Sequence, residues 1–133
     1  MVLPSIVNPK ESLGRYLTQK KHFFRRDNAV RPQAFMPPPN LRLSVFRIDG
    51  LKLEEVWTIG QREVIDVLPQ PKTLYGVADI KASKVLELEL RVEPNQLPSR
   101  HANICGWSED KSKQKSIAQE LAAEAKLLLK PLG

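Results

Sequence analysis

The chain has 133 residues, 41% of them hydrophobic, and a formal net charge of +6, about enough material for one domain around one core. Its single cysteine, Cys105, and its two histidines cannot close an internal disulfide or fill the four positions of a structural zinc site, so neither staple nor metal is expected. No apolar run approaches the roughly 18 residues of a membrane span, and no basic segment leads into an apolar stretch after Met1, so a cytoplasmic chain with no membrane partner is expected.

Charge is unevenly placed. Residues 1–40 carry seven basic and two acidic groups, a balance of +5, whereas residues 41–133 carry fourteen and thirteen, a balance of +1. Six of the eleven prolines also fall before Asn40, and proline removes a backbone donor and favours extended geometry. Together these predict a basic, Pro-rich N-terminal arm over 1–40, extended and ordered in part or only on a partner, followed by a single α+β domain over 41–133. Inside the arm Leu13, Tyr16, Leu17, Lys20, Phe23 and Phe24 recur at steps of three and four, the pattern of a short amphipathic helix interrupted by Gly14. Lys20, Lys21, Phe23, Phe24, Arg25 and Arg26 make a basic aromatic run. On a protein partner Tyr16, Phe23 and Phe24 would be the anchors; on a nucleic acid Phe23 and Phe24 would stack on bases while the four cations meet phosphates.

Beyond Asn40, Leu41, Leu43 and Val45 alternate with Arg42, Ser44 and Phe46, which predicts a strand over 41–48 ending at the Asp49-Gly50 turn. Leu53, Val56, Trp57 and Gly60 form a helical stripe, so a short helix over 53–59 is expected. The β-branched and bulky residues after it suggest an extended piece over 62–68, closed by Pro69 and Pro71. A strand over 73–80 should precede a stronger one over 84–92, where Leu86, Leu88, Leu90 and Val92 face one way and Glu87, Glu89 and Arg91 the other. Ser108 reads as the cap of a closing helix over 109–129, with Trp107 as a hydrophobic staple and Gly106 as the bend before it. Ile117, Leu121, Ala125 and Leu128 give that helix one apolar face, which would cover a small, mostly antiparallel sheet or serve as a homodimer seam.

Chemistry concentrates in "LPSRHANICGWSEDKSKQ". His101 beside Arg100 is a candidate base or phosphate ligand, and Cys105 a weaker candidate nucleophile. On a strand, however, His101, Asn103, Cys105 and Trp107 would share one side without close contact, and a buried free cysteine is ordinarily a small core residue. No phosphate loop, dinucleotide fingerprint, nucleophile elbow or zinc-protease motif is present, and no cofactor is expected.

The stretches "LSVFRIDGLKLEEVWTIG", "LYGVADIK" and "PSRHANICGWSEDKSKQKSIAQELAAEAKL" resemble a small bacterial protein family of unknown function, in which an Arg-His-Ala-x-Ile-x-Gly-Trp segment precedes an Ala/Leu-rich closing helix. The resemblance covers most of residues 41–130 and implies no activity, cofactor or catalytic residue. The function expected is that of a non-enzymatic accessory or protein-interaction module acting through residues 1–40. Nucleic-acid binding through residues 20–26 is the first alternative, and a small hydrolase or transferase centred on His101 is the second.

Overall fold

The first 40 residues supply the middle of the sheet. The computed structural model describes residues 3–4, 6–95 and 98–131. Its strands are β1 (Ser12–Leu17), β2 (Phe23–Phe24), β3 (Ala29–Val30), β4 (Leu43–Arg47), β5 (Gly76–Lys81), β6 (Arg91–Pro94), β7 (His101–Cys105) and β8 (Lys126–Leu129). Its helices are α1 (Leu53–Gly60), α2 (Ala82–Glu87) and α3 (Lys111–Glu124). Six strands form one antiparallel sheet in the order β6-β7-β4-β1-β5-β8, and β2 pairs with β3 in a separate hairpin. The architecture is α+β, as expected.

The expected arm and its amphipathic helix are therefore corrected. Residues 12–17 run between β4 and β5, with Leu13 paired to both Arg47 and Ile80. Leu13 and Leu17 point to one face of the sheet and Tyr16 to the other, and all three are buried. A strand covered on both faces shows no polar alternation, and the steps of three and four among these residues are incidental to that arrangement. Asn40 marks no break in the core either, because Leu13, Leu17 and Phe35 belong to the same apolar cluster as Leu43 and Val45.

On the first face that cluster joins Ala78, Ile80, Ala102, Ile104 and Leu127 to Ala118, Leu121 and Ala122 of α3 and to the 3-10 turn Pro32–Phe35. Of the stripe expected on the closing helix, Leu121 is buried in this cluster and Ile117 and Ala125 pack against it. Two cations share this side. Arg15 donates to Ala34 O at 2.9 Å and Ser44 O at 3.0 Å, and burial lowers its pKa to about 10. Arg47, only 1% exposed, donates from Nε and Nη2 to the two Glu11 carboxylate oxygens at 2.9 and 2.8 Å and from Nη1 to Pro4 O at 2.6 Å. That fork fastens the N-terminal segment to β4.

On the second face Tyr16, Phe46, Ile48 and Val77 pack under Val56 of α1, with Ile65 and Leu74 completing the cluster. The Tyr16 hydroxyl donates to Val56 O at 2.6 Å, which fixes the helix over the sheet. Residues 62–68 are not extended: a π-turn, Gln61–Ile65, prolongs α1. Gly60 is required at the junction, since a Cβ there would lie 2.6 Å from the Tyr16 ring. No residue of β6 or β7 enters this second cluster, so half of the face lies outside α1's cover.

The strand expected over 84–92 is also corrected. Ala82–Glu87 is helical, and only Arg91–Pro94 is strand. The alternating leucines sit among good helix formers, and Ala82 and Val85, three residues apart, are the buried pair. A Schellman motif ends the helix: Leu90 N donates to Val85 O at 3.2 Å, Glu89 N donates to Leu86 O at 3.0 Å, and Leu90 packs beside Val85. Glu89 holds the left-handed position at φ 63, where glycine is the usual occupant.

The closing helix is shorter than expected at both ends. Its cap is Asp110, whose carboxylate accepts from Ser112 N at 2.9 Å, while Ser108 Oγ accepts from Asp110 N at 3.0 Å. Trp107 therefore lies ahead of the staple position and instead enters the core, its Nε1 donating to Ile104 O at 3.0 Å. The chain leaves helix at Ala125, and Lys126–Leu129 becomes the edge strand β8. The opposite edge, β6, is blunted. Asn95 N donates to His101 O at 2.8 Å, which sets residues 91, 93 and 95 inward and turns the backbones of Val92 and Pro94 outward. Proline has no N–H to offer there.

Candidate functional site

Two surfaces collect the residues singled out from the sequence. The first is the β2–β3 hairpin. Phe23 and Val30, each 7% exposed, are its buried base. The Phe23 ring meets Tyr75 at 5.6 Å between centroids with the planes 51° apart. The four residues Arg25–Asn28 close the turn, with Asn28 at φ 50 and its N–H donating to Arg25 O at 3.3 Å; asparagine tolerates that geometry. Strand alternation then splits the two phenylalanines, turning Phe23 inward and leaving Phe24 45% exposed. Lys20 and Lys21, on a 3-10 turn before the hairpin, and Arg25 and Arg26, on its loop, are all exposed.

Among the described residues none of those four cations forms an ion pair. Arg31 lies over the Phe24 ring at 4.1 Å and Arg25 over Phe23 at 5.9 Å, both to the centroid. Lys20, Phe23, Arg25 and Tyr75 line a half-open cavity of about 330 Å³. The structure thus keeps Lys20, Lys21, Phe24, Arg25 and Arg26 together at the surface and withdraws Phe23 from it.

Beneath the hairpin lies His22, 6% exposed. Its Nδ1 has no hydrogen-bond partner among the described residues. Burial, helped by the charges of Arg15 and Lys21, holds its pKa down at about 4.

The second surface is the half-sheet over β4, β7 and β6 outside α1's cover. Pairing sets Phe46 beside His101, Ser44 beside Asn103, and Asn103 beside Glu93. His101 Nε2 and Ser44 Oγ are 2.7 Å apart, and the Phe46 ring meets the imidazole edge-on at 5.3 Å. Burial lowers the His101 pKa, and a hydrogen bond with the Asn95 backbone works against it. Cys105, on the same side of β7, is 7% exposed with Sγ 3.8 Å from Asn103 O. Burial pushes its thiol pKa up and the neighbouring Glu93 adds to that, the opposite of what a nucleophilic thiol needs. Four residues of strand separate His101 from Cys105 by roughly 13 Å, so the two do not form a pair. Arg100, at φ 71, donates from Nη1 to Arg47 O at 3.0 Å and accepts from Arg47 N at 2.7 Å. It pins β7 to β4.

Two participants escape sequence reading. Tyr75 stands just before β5 with nothing in its neighbours to mark it as a cavity wall, and Ser44 is one polar residue in an alternating strand. Their roles depend on pairing with residues 52 and 57 positions away. No protein-family model, no curated protein and no solved structure matches the chain.

Proposed function

We propose that the chain is a non-enzymatic interaction module that docks an acidic protein partner on its basic hairpin. The observation that carries this reading is the group of four exposed cations, without an ion pair among the described residues, that stands beside exposed Phe24 on the 3-10 turn and on the hairpin whose base is buried. Arginine and aromatic side chains on a rigid support suit an interface anchor, because little conformational freedom is lost on docking. Their shared positive sign selects an acidic surface and speeds encounter with it. Nucleic acid fits less well. Phe23 is only 7% exposed and Arg31 covers one face of Phe24, so the surface offers no row of exposed rings on which successive bases could stack.

Residues 1–40 cannot be deleted as a test, since β1 would go with them. The variant of choice reverses Lys20, Lys21, Arg25 and Arg26 to glutamate and is checked for native circular dichroism. Wild type and variant are used to capture proteins from a nuclease-treated lysate of the source cells. A defined acidic protein retained by wild type, lost with the variant and released near 0.5 M salt, where the Debye length falls below about 5 Å, is the expected result. Identical recovery by both proteins sinks the reading.

A further inference from the structure

We infer that the cavity between Lys20 and Arg25 receives a single aromatic or large aliphatic side chain flanked on both sides by carboxylates; this rests on the interaction reading and names the feature of the partner that is recognised. The cations come as two pairs, Lys20–Lys21 on the 3-10 turn and Arg25–Arg26 on the hairpin loop. One member of each pair lines the cavity, and the other two walls are the rings of Phe23 and Tyr75. A ligand seated here therefore meets aromatic surface with positive charge from both pairs beside it.

Size and chemistry agree. A closed apolar cavity of about 150 Å³ holds a benzene ring, and this one offers about 330 Å³, half open to solvent. The Phe23 and Tyr75 rings, tilted 51° to each other, give an incoming ring aromatic surface to pack on, with Arg25 standing 5.9 Å from the Phe23 centroid. Among the described residues no carboxylate lines the cavity, so a cationic side chain finds no partner there. A lone carboxylate would gain the charge contacts but leave the aromatic walls wet. A bare hydrophobic segment would cover the walls but leave Lys21 and Arg26 without a counterion. The segment that satisfies both is acidic, then apolar, then acidic, which places the partner among peptides with hydrophobic residues embedded in acidic runs.

The test is fluorescence polarisation of the full chain with three fluorescein-labelled nonapeptides. The first has four alternating aspartates and glutamates on each side of a central phenylalanine. The second has a central alanine, and the third keeps the phenylalanine but replaces every acid by its amide. The inference expects the first to bind about tenfold or more tightly than the second, the ratio that follows from burying an aromatic side chain, and the third to bind far more weakly than either. Tyr75→Ser removes one wall but leaves the backbone bonds of residue 75 to Leu17 and Lys130 in place, so the phenylalanine advantage should disappear. Lys20→Met with Arg25→Met keeps the walls and should weaken both acidic peptides while retaining that advantage.

Equal affinity for the first two peptides overturns the inference, as does an undiminished advantage in Tyr75→Ser. If those two peptides bind equally and both are lost on reversing the four cations, the hairpin reading stands and only the cavity anchor falls. If the reversal changes nothing, both fall. A labelled oligothymidylate that binds more tightly than the first peptide also overturns the inference and returns the surface to nucleic acid.

Discussion

His22 predicts a specific acid sensitivity. In the folded chain its pKa is about 4, against an ordinary 6.5, because the ring lies beneath the hairpin beside the charges of Arg15 and Lys21. A depressed histidine pKa means that the unfolded chain takes up the proton first. Stability is intact above pH 6.5, falls as the pH drops from 6.5 to 4, and stops responding to this group below that. At pH 5 the linkage relation gives a loss of about 2 kcal/mol from these two pKa values, rising toward roughly 3 kcal/mol at the acid limit. Urea denaturation of wild type and His22→Gln at pH 7.5 and pH 5.0 measures it, with the m-values compared to confirm that the unfolded states match. Glutamine cannot ionise, so wild type should lose about 2 kcal/mol more than the variant between the two pH values. His101, whose pKa is also lowered, acts in the same sense but is present in both proteins and cancels in the difference. Asp79, raised chiefly by burial, acts in the opposite sense and also cancels. Equal losses in the two proteins, or a His22 proton resonance that titrates at pH 6 or above, would refute the reasoning.

Glu11→Gln should cost about 3 kcal/mol at neutral pH, because it strips the countercharge from Arg47, which is 2% exposed at its side chain. The Arg47 hydrogen bond holds the Glu11 pKa low, so the wild-type advantage persists above pH 4.5 and fades as the pH falls through the depressed value; an advantage unchanged at pH 2 refutes this. Glu89→Gly should stabilise the chain by roughly 0.5 kcal/mol, since relief of the left-handed strain at φ 63 exceeds the entropy that glycine adds to the unfolded state. A lower denaturation midpoint would contradict the Schellman assignment. Gly76→Ala should destabilise by about 2 kcal/mol or more and speed amide exchange in β8, because its Cβ would run into the Leu128 carbonyl; wild-type exchange rates across Lys126–Leu129 would contradict that.

The α+β architecture was legible because α1 and α3 each keep one wet side, and because Leu43, Ser44 and Val45 alternate in β4 although Phe46 and Arg47 beyond them are buried. β1 was hidden by its position. Leu13 and Leu17 face one core and Tyr16 the other, while Arg15 points inward between the leucines, so neither face reads as purely apolar. In α2 the local propensity of Ala82–Glu87 prevailed over an alternation of leucines that matched a strand equally well. On the hairpin, the exposure of Lys20, Lys21, Arg25 and Arg26 follows from their charge, and the opposite fates of Phe23 and Phe24 follow from a two-residue period. That Tyr75 would stand against Phe23 follows from neither, because it depends on how the start of β5 and the hairpin are brought together in space. At the other surface, the four-residue spacing of His101 and Cys105 is a near contact on a helix and a long separation on a strand, so their chemistry rested wholly on the assignment of Ala102–Ile104.

The central place of β1 also bears on synthesis. Its neighbour β4 ends at Arg47 and its other neighbour β5 at Lys81, so the second pairing waits until about 60 residues beyond the end of β1 at Leu17 have been made. At roughly 5 to 20 residues per second that interval is about 3 to 12 seconds. Throughout it Leu13, Tyr16 and Leu17 form an apolar segment with an unfilled edge. Slow codons before the end of β5 would lengthen that window, and a chaperone that covers apolar segments would have its largest effect on the yield of this protein within it.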